Sequence, residues 1–461
     1  MYMIYIIFFF LLVFLIKKIL TLLGILQTIS FIRRKDKFEI SSTDNLPNII
    51  VILPVLREQS KIEDAISHFN SSNYTNLSIV VVTNEKELID SEATITTIDV
   101  IKKLQMKYDF HWLHMKNING VKADQLNYVT DNFKKLFPNK SEQNSFFIYY
   151  DADSRPNLQV LPYLASLIKA NQHINVYQQS SIFYHSTKQK WNVKDIFLMA
   201  NAMRANRFVY AYEIPRLRNK LSYYFKKINF KYIAGLTTYA HCVGHGLALR
   251  VDFARQYRFP TEIIMEDMIY GYILNYNKIP VVSIPVFDYA EVPNSISVLF
   301  KQMSRWFLGP SRFLFYYSYC KNNYKNSRSK LSHFFLNLSC FIISLTWAVT
   351  TPVYILLIFT CLYSLSLFYH FSYNLFFIFL LSISCLIVYF LTYVLSIFLH
   401  NYFLKSNNIN YKNAYLNRSK SFFLIICYPL VIFFHSLPTY HRVLSFLFFR
   451  NKNSMHEKTE R

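Results

Sequence analysis

Ser145–Pro156 reads S-F-F-I-Y-Y-D-A-D-S-R-P, and the rest of the chain is arranged around it. Its apolar and aromatic run predicts a short buried strand, and Asp151 and Asp153 follow at once. In extended chain, residues i and i+2 project to the same side. The two carboxylates can therefore converge on one hard cation, which in turn could hold the oxygens of a diphosphate. Ser154 and Pro156 stop the strand and leave the acids on a loop at its carboxyl end, where open α/β sheets bind ligands. A D-x-D in a lysine-rich chain also reads as a solvated turn, so the neighbouring sequence has to decide.

Upstream, Asn48–Val55 (N-I-I-V-I-L-P-V) and Ile79–Thr83 (I-V-V-V-T) predict two more buried strands, with a helix over Glu63–Phe69 between them. This strand–helix–strand order points to a doubly wound, mostly parallel sheet. Pro54, Arg57 and Glu58 close the first strand, and Asn84 and Glu85 the second. These are strand-end positions suited to a base and a ribose, or to helix capping and surface charge. Asn119–Asn127 (N-G-V-K-A-D-Q-L-N) opens a helix. Gly120 allows a tight approach there, and Lys122 near the helix start is placed for phosphate oxygens or for a solvated face.

Downstream, residues 157–180 predict a helix and a strand, and residues 191–232 a basic, aromatic, largely helical stretch along a membrane surface. Cys242–Arg250 (C-V-G-H-G-L-A-L-R) brackets His245 with two glycines, as a tight loop walling a pocket would. Glu266 and Asp267 stand inside the apolar run E-I-I-M-E-D-M-I-Y-G-Y, where buried charge needs a reason. One reason is a helix macrodipole; another is a general base in an apolar pocket. Residues 295–310 predict an amphipathic helix with Gln302, Arg305 and Trp306 on one face. Arg suits bidentate phosphate contacts, and Trp offers a flat surface to a sugar ring.

The chain is 52% hydrophobic and 18% aromatic, with a formal net charge of +23. The apolar residues crowd into the first 32 positions and into Leu331–Phe449. No clustered basic helix, zinc-ligand spacing or RNA-binding aromatic motif accompanies the charge, so nucleic acid is not an expected partner. Basic residues facing anionic lipid account for it better. The six Cys include no C-x-x-C pair, which argues against disulfides and a cysteine metal site. Arg33, Arg34, Lys35 and Lys37 follow the first apolar run instead of preceding it, so that run reads as a retained anchor with its basic flank in the cytosol. Five segments result: 1–37, an anchor with its basic flank; 47–294, a cytosolic domain; 295–320, an interfacial helix; 331–449, three or four membrane segments; and 450–461, a basic tail. Within 331–449, Leu331–Phe368 is either one helix kinked near Pro352 or a tight pair.

Together these motifs resemble membrane-embedded family 2 glycosyltransferases, the group of cellulose, hyaluronan and related polysaccharide synthases. The resemblance spans roughly Asn48–Trp306. The family's P-V-x-x-E is similar to Pro54–Glu58, and its G-K-A-x-x-L-N to Val121–Asn127 through Lys122, Leu126 and Asn127. Its D-x-D looks like Asp151 and Asp153, its E-D like Glu266 and Asp267, and its Q-x-x-R-W like Gln302, Arg305 and Trp306. The tail H-E-K-T-E-R resembles the W-x-K-T ending of some members. The resemblance implies a GT-A fold (Rossmann-like, mostly parallel), transmembrane helices and a nucleotide-sugar donor. Asp151 and Asp153 would hold Mg2+ or Mn2+ and Asp267 would deprotonate the acceptor. Pro54, Glu58, Glu85, Lys122, Asp151, Gln302 and Arg305 would bind the donor, and His245, Glu266 and Trp306 the acceptor.

Many members carry an Asp pair after the second strand; here Thr83, Asn84 and Glu85 stand there. A UDP-sugar is the expected donor and a GDP-sugar the alternative. The leading expectation is an inverting transferase at the cytosolic face of the inner (plasma) membrane. It would extend a β-linked capsule- or exopolysaccharide-type glycan and couple extension to export. The second is single-sugar transfer to a polyprenyl phosphate or glycolipid; the third is a transporter or scaffold with accidental motifs.

Overall fold

The computed structural model describes residues 2–33, 46–89, 95–185, 191–225, 239, 242–263, 265–325, 330–366, 373–406 and 415–449. The basic tail, the H-E-K-T-E-R ending, Arg34–Lys37 and residues 226–232 lie outside them.

Among the described residues, seven strands form one sheet: β1 (Asn48–Pro54), β2 (Leu77–Asn84), β3 (His111–Met115), β4 (Ser145–Tyr149), β5 (Val176–Tyr184), β6 (Leu247–Arg250) and β7 (Val282–Glu291). Their order is β3-β2-β1-β4-β6-β5-β7. All neighbours are parallel except at β6, which runs antiparallel to both β4 and β5. Alternation along β1 divides its side chains between two cores. Ile49, Val51 and Leu53 enter one with Ile62, Phe69, Leu161 and Leu164. Ile50 and Ile52 enter the other with Leu126, Val129, Tyr270 and Leu274. The helices Ile62–Asn70 and Val160–Ala170 thus cover one face, and Lys122–Leu136 and Glu266–Tyr276 the other. Both faces of β4 are covered, which is why S-F-F-I-Y carries no polar alternation: all of it is buried.

Among the described residues, four helices are long and apolar enough to cross a membrane: Tyr5–Arg33, Lys330–Ser366, Leu375–Ser406 and Arg418–Ser445. Lys330–Ser366 is one helix with Pro352 inside it, not a pair. Beside the proline, Thr351 donates its backbone N–H to Ser436 Oγ (3.2 Å) and its hydroxyl to the Ile432 carbonyl (2.7 Å). The last apolar stretch breaks at Ser436 into Arg418–His435 and Leu437–Phe449.

Of the stretch expected along a membrane surface, residues 191–225 are described. Val193–Phe208, a π-helical turn over Val209–Glu213 and Ile214–Phe225 run between the sheet and the apolar helices. Leu198, Met199 and Met203 pack with Tyr393, Leu424 and Tyr428, and Tyr210 with Phe287 and Phe403. The first helix crosses the π-turn at Gly24, where an added Cβ would run into the Ala211 carbonyl. Gly24→Val is expected to cost about 1–3 kcal/mol, measured as a lowered unfolding midpoint of the detergent-solubilised protein; an unchanged midpoint would refute that contact.

Candidate active site

The carboxyl ends of β1, β2 and β4 lie side by side, and one buried side chain ties two of them together. Gln125 donates from Nε2 to the carbonyls of Val55 (3.0 Å) and Val82 (2.9 Å). Asn84, at the end of β2, donates to the Gly120 carbonyl (3.0 Å). Asp124 accepts from the Val121 N–H (2.9 Å) and caps the helix that begins at Lys122. These contacts fix where Lys122 leaves the backbone. Its ammonium then reaches Asp151 Oδ1 at 2.7 Å, the Gly244 carbonyl at 2.9 Å and Glu266 Oε1 at 3.9 Å.

Gly244 permits this closeness, because a Cβ on it would lie 3.2 Å from Asp267 Oδ2 and 3.6 Å from the Lys122 ammonium. Gly246 has φ +65°, a conformation that favours glycine; its N–H donates to the Tyr149 carbonyl and its carbonyl accepts from the Gln179 N–H as the loop enters β6. On the far side, Met265 holds φ 74° immediately before the helix Glu266–Tyr276. For a residue with a Cβ, left-handed backbone costs about 1–2 kcal/mol, and such strain clusters at functional sites. Here it turns Glu266 and Asp267 toward Lys122. Asp267 Oδ1 accepts from the Met268 N–H (2.8 Å). The acids share a small apolar recess with Leu126, Tyr149, Leu247 and Phe259.

Burial, and then the charge of Glu266, push the Asp267 carboxyl up to about 7 against the opposing pull of Lys122 and the Met268 N–H. Burial works against the Lys122 charge, but Asp151 and Glu266 outweigh it and raise its pKa. Burial draws Arg305 down while Glu266, Asp267 and Asp151 favour its charge, so the guanidinium belongs to the same electrostatic group. Lys122, Asp151, Glu266, Asp267 and Arg305 therefore form one site at the end of β4.

The remaining residues are distributed around it. Gln302 is buried one turn before Arg305. Trp306 is half-buried, with its ring 6.2 Å from Phe183. Pro54, Glu58 and Glu85 occupy the ends of β1 and β2, the other half of the strand-end row. The Glu58 N–H donates to Thr97 Oγ1 (2.9 Å), and the Glu85 N–H to the Met115 carbonyl (3.0 Å). His245 has a partner that sequence reasoning missed: its Nδ1 lies 3.0 Å from Asp288 Oδ2, with Ser181 Oγ at 3.1 Å. Burial lowers the imidazole pKa, but Asp288 more than reverses this and the net shift is upward. Asp288 sits in the apolar run V-F-D-Y-A, the same signal that singled out Glu266 and Asp267. A shift in β5–β7 pairing between Gln179 and Ser181 re-aims this region.

Among the described residues, no three or more His, Cys, Asp or Glu side chains group into a self-sufficient metal site. Asp151 and Asp153, both half-buried beyond β4, suit a different arrangement. Mg2+ and Mn2+ commonly take one or two carboxylates from the protein and the remaining oxygens from substrate phosphates and water.

No family model and no curated protein matches the chain. Among solved structures, it is similar to mannosyltransferase PcManGT from Pyrobaculum calidifontis in complex with GDP-Man and Mn2+, at 14% identity and TM-score 0.41, covering 82% of this chain and 97% of that one. It is also similar to S. aureus TarS 1-349 in complex with UDP, at 14% identity and TM-score 0.37, covering 63% and 70%. The same TarS fragment in complex with UDP-GlcNAc aligns at 12% identity and TM-score 0.39, covering 84% and 90%.

Proposed function

We propose that the chain is a membrane-embedded GT-A glycosyltransferase of the family 2 kind, which transfers a sugar from a nucleotide-sugar donor with inversion at the anomeric carbon. The observation that carries this reading is the convergence of Lys122, Asp151, Glu266, Asp267 and Arg305 at one sheet end, with Asp267 raised to about 7. Such a carboxylate is matched to accepting a proton near neutral pH.

In this reading the acceptor hydroxyl gives its proton to Asp267. Its oxygen attacks the anomeric carbon as the bond to the diphosphate oxygen breaks on the opposite face. Lys122 and Arg305 offset the charge that gathers on the departing diphosphate. Asp151 and Asp153 would hold Mg2+ or Mn2+, whose charge supports the same leaving group. Gln302 joins Arg305 in steadying the leaving diphosphate, Pro54, Glu58 and Glu85 line the nucleotide end, and His245, Glu266 and Trp306 face the acceptor. A UDP-sugar is the favoured donor. The Q-x-x-R-W motif supports extension of a β-linked polysaccharide, at the cytosolic face of the plasma membrane and coupled to export.

The test incubates membranes carrying the full chain with Mg2+ or Mn2+ and a panel of labelled UDP- and GDP-sugars, then sizes the product. A high-mass, glycosidase-sensitive product is expected. A single-sugar, lipid-extractable product would replace extension by single transfer, and hydrolysis or transfer that persists in Asp267→Asn would overturn the assigned base.

A further inference from the structure

We propose that the junction of the first helix with Val193–Phe208 is a binding site for the phosphate head group of a cytosolic-leaflet lipid, formed by Lys18, Arg204, Arg207, Tyr389 and Tyr428. Lys18 is only 7% exposed, although it lies within an apolar helix. Its ammonium stands 3.8 Å from the ring centre of Tyr389, and the Arg207 guanidinium stands 4.4 Å from the same ring. Arg207 donates to the hydroxyls of Tyr428 (3.0 Å) and Tyr389 (3.3 Å), while its Nε is buried without a partner. Tyr428 is fixed by stacking on Tyr393, ring centres 3.7 Å apart. Arg204, one turn from Arg207, donates to Asn201 (3.2 Å), and burial together with the Arg207 charge brings it down to about 10.

These cations need an anion, and the apolar helices have none to give. No Asp or Glu occurs before Asp36 or between Glu291 and Glu457. On the intervening helices, Asp195 is 3.2 Å from His185, and Glu213 acts on Arg216. A buried charge without a counter-charge is costly, and ionisable groups at membrane helices mark functional sites. Arginine with tyrosine hydroxyls supplies the donors a phosphate accepts.

The depth of the cluster points to lipid. The first helix has 32 residues, about 48 Å, against a hydrocarbon core of roughly 30 Å. Its later part is committed to the sheet domain: Ile25 and Ile32 pack with Phe287 and Tyr289, and Thr28 donates to the Tyr210 carbonyl at 2.7 Å. The part left to span the bilayer ends close to Lys18, at the head-group level of the leaflet facing the sheet domain. Ile16, Ile19, Leu20, Phe390 and Leu391 beside the cluster are exposed, so it borders a surface open to lipid.

The test places the purified full chain in nanodiscs of phosphatidylcholine with a minor fraction of phosphatidylglycerol, of a polyisoprenyl phosphate, or of both. Retained lipid is then counted by native mass spectrometry. Wild type is expected to keep one anionic lipid, and Lys18→Met and Arg207→Met to hold it at least about tenfold more weakly. Preference for the polyisoprenyl phosphate in the mixed disc assigns a lipid-linked intermediate as the source; preference for phosphatidylglycerol assigns bulk phospholipid. Unfolding midpoints separate loss of a site from loss of fold. In lipid-free detergent the variants should match or exceed wild type, because a buried unpaired charge has been removed, while the rise in midpoint on adding anionic lipid should vanish. Retention of phosphatidylcholine alone, equal retention by wild type and both variants, or variants destabilised without lipid would overturn the proposal.

Discussion

Asp267→Asn is expected to lower sugar transfer by about 10²–10⁴-fold, the range a positioned general base contributes, with little change in donor affinity. The amide keeps the shape of the carboxyl and its contact with the Met268 N–H, but it cannot take the acceptor proton. Loss of activity alone would not separate a missing base from a damaged fold; stability does. The Asp267 carboxyl is raised from 3.8 to about 7, so the folded chain prefers it protonated. The resulting cost is absent below the ordinary carboxylate range, grows between about pH 4 and 7, and is complete above that. The asparagine carries no such cost and should be the more stable protein at pH 8, by at most ~4 kcal/mol. Chemical denaturation at pH 4 and pH 8 measures this directly. An inactive variant that is less stable at both values would make Asp267 structural instead of catalytic.

The strands that were legible in the sequence are those buried on both faces. I-I-V-I-L, I-V-V-V and S-F-F-I-Y have no polar alternation to confuse with a helix, and each falls within a few residues of β1, β2 and β4. β7 also went unread, although its first eight residues are buried; the other two missed strands have physical reasons. β6 is L-A-L-R, too short for any period to register, and it is held antiparallel by partners distant in sequence. β3, H-W-L-H-M, carries two histidines and only its Leu and Met are buried. The acids of the site were visible because charge inside an apolar run is anomalous, yet Asp288 met the same criterion and went unread for want of a neighbouring motif. What no linear reading supplies is reach. Nothing in the sequence tells that the Lys122 ammonium, besides being placed for phosphate, joins Asp151 to the distant loop at Gly244 through that residue's carbonyl. Gln125, which registers β1 against β2, looks like any polar helix residue until both carbonyls are in place.

Lys122→Met and Glu266→Gln should move the acidic limb of the transfer rate in opposite directions. Glu266 raises the Asp267 carboxyl by like-charge repulsion, and Lys122 lowers it. Activity in this reading requires ionised Asp267, so the wild-type rate falls as pH drops through about 7. Glu266→Gln removes the repulsion and should shift that fall to lower pH by about one unit; Lys122→Met should shift it upward by a similar amount. The lysine variant has a second defect of larger size. Asp151 loses its 2.7 Å partner and the Gly244 carbonyl its donor, which leaves Asp151, Glu266 and Asp267 crowded without that cation. Loss of a charge-assisted contact of this kind costs roughly 1.5–3 kcal/mol, so the rate at the new optimum should remain about 10- to 100-fold below wild type. Lys122→Arg should restore the position of the limb more fully than the rate, since a guanidinium supplies charge but not the compact geometry of an ammonium. Rate–pH profiles at saturating donor and fixed Mg2+ or Mn2+ read both effects. Limbs that move together, or that stay at the wild-type position in both variants, would mean that the titrating base is a group other than Asp267.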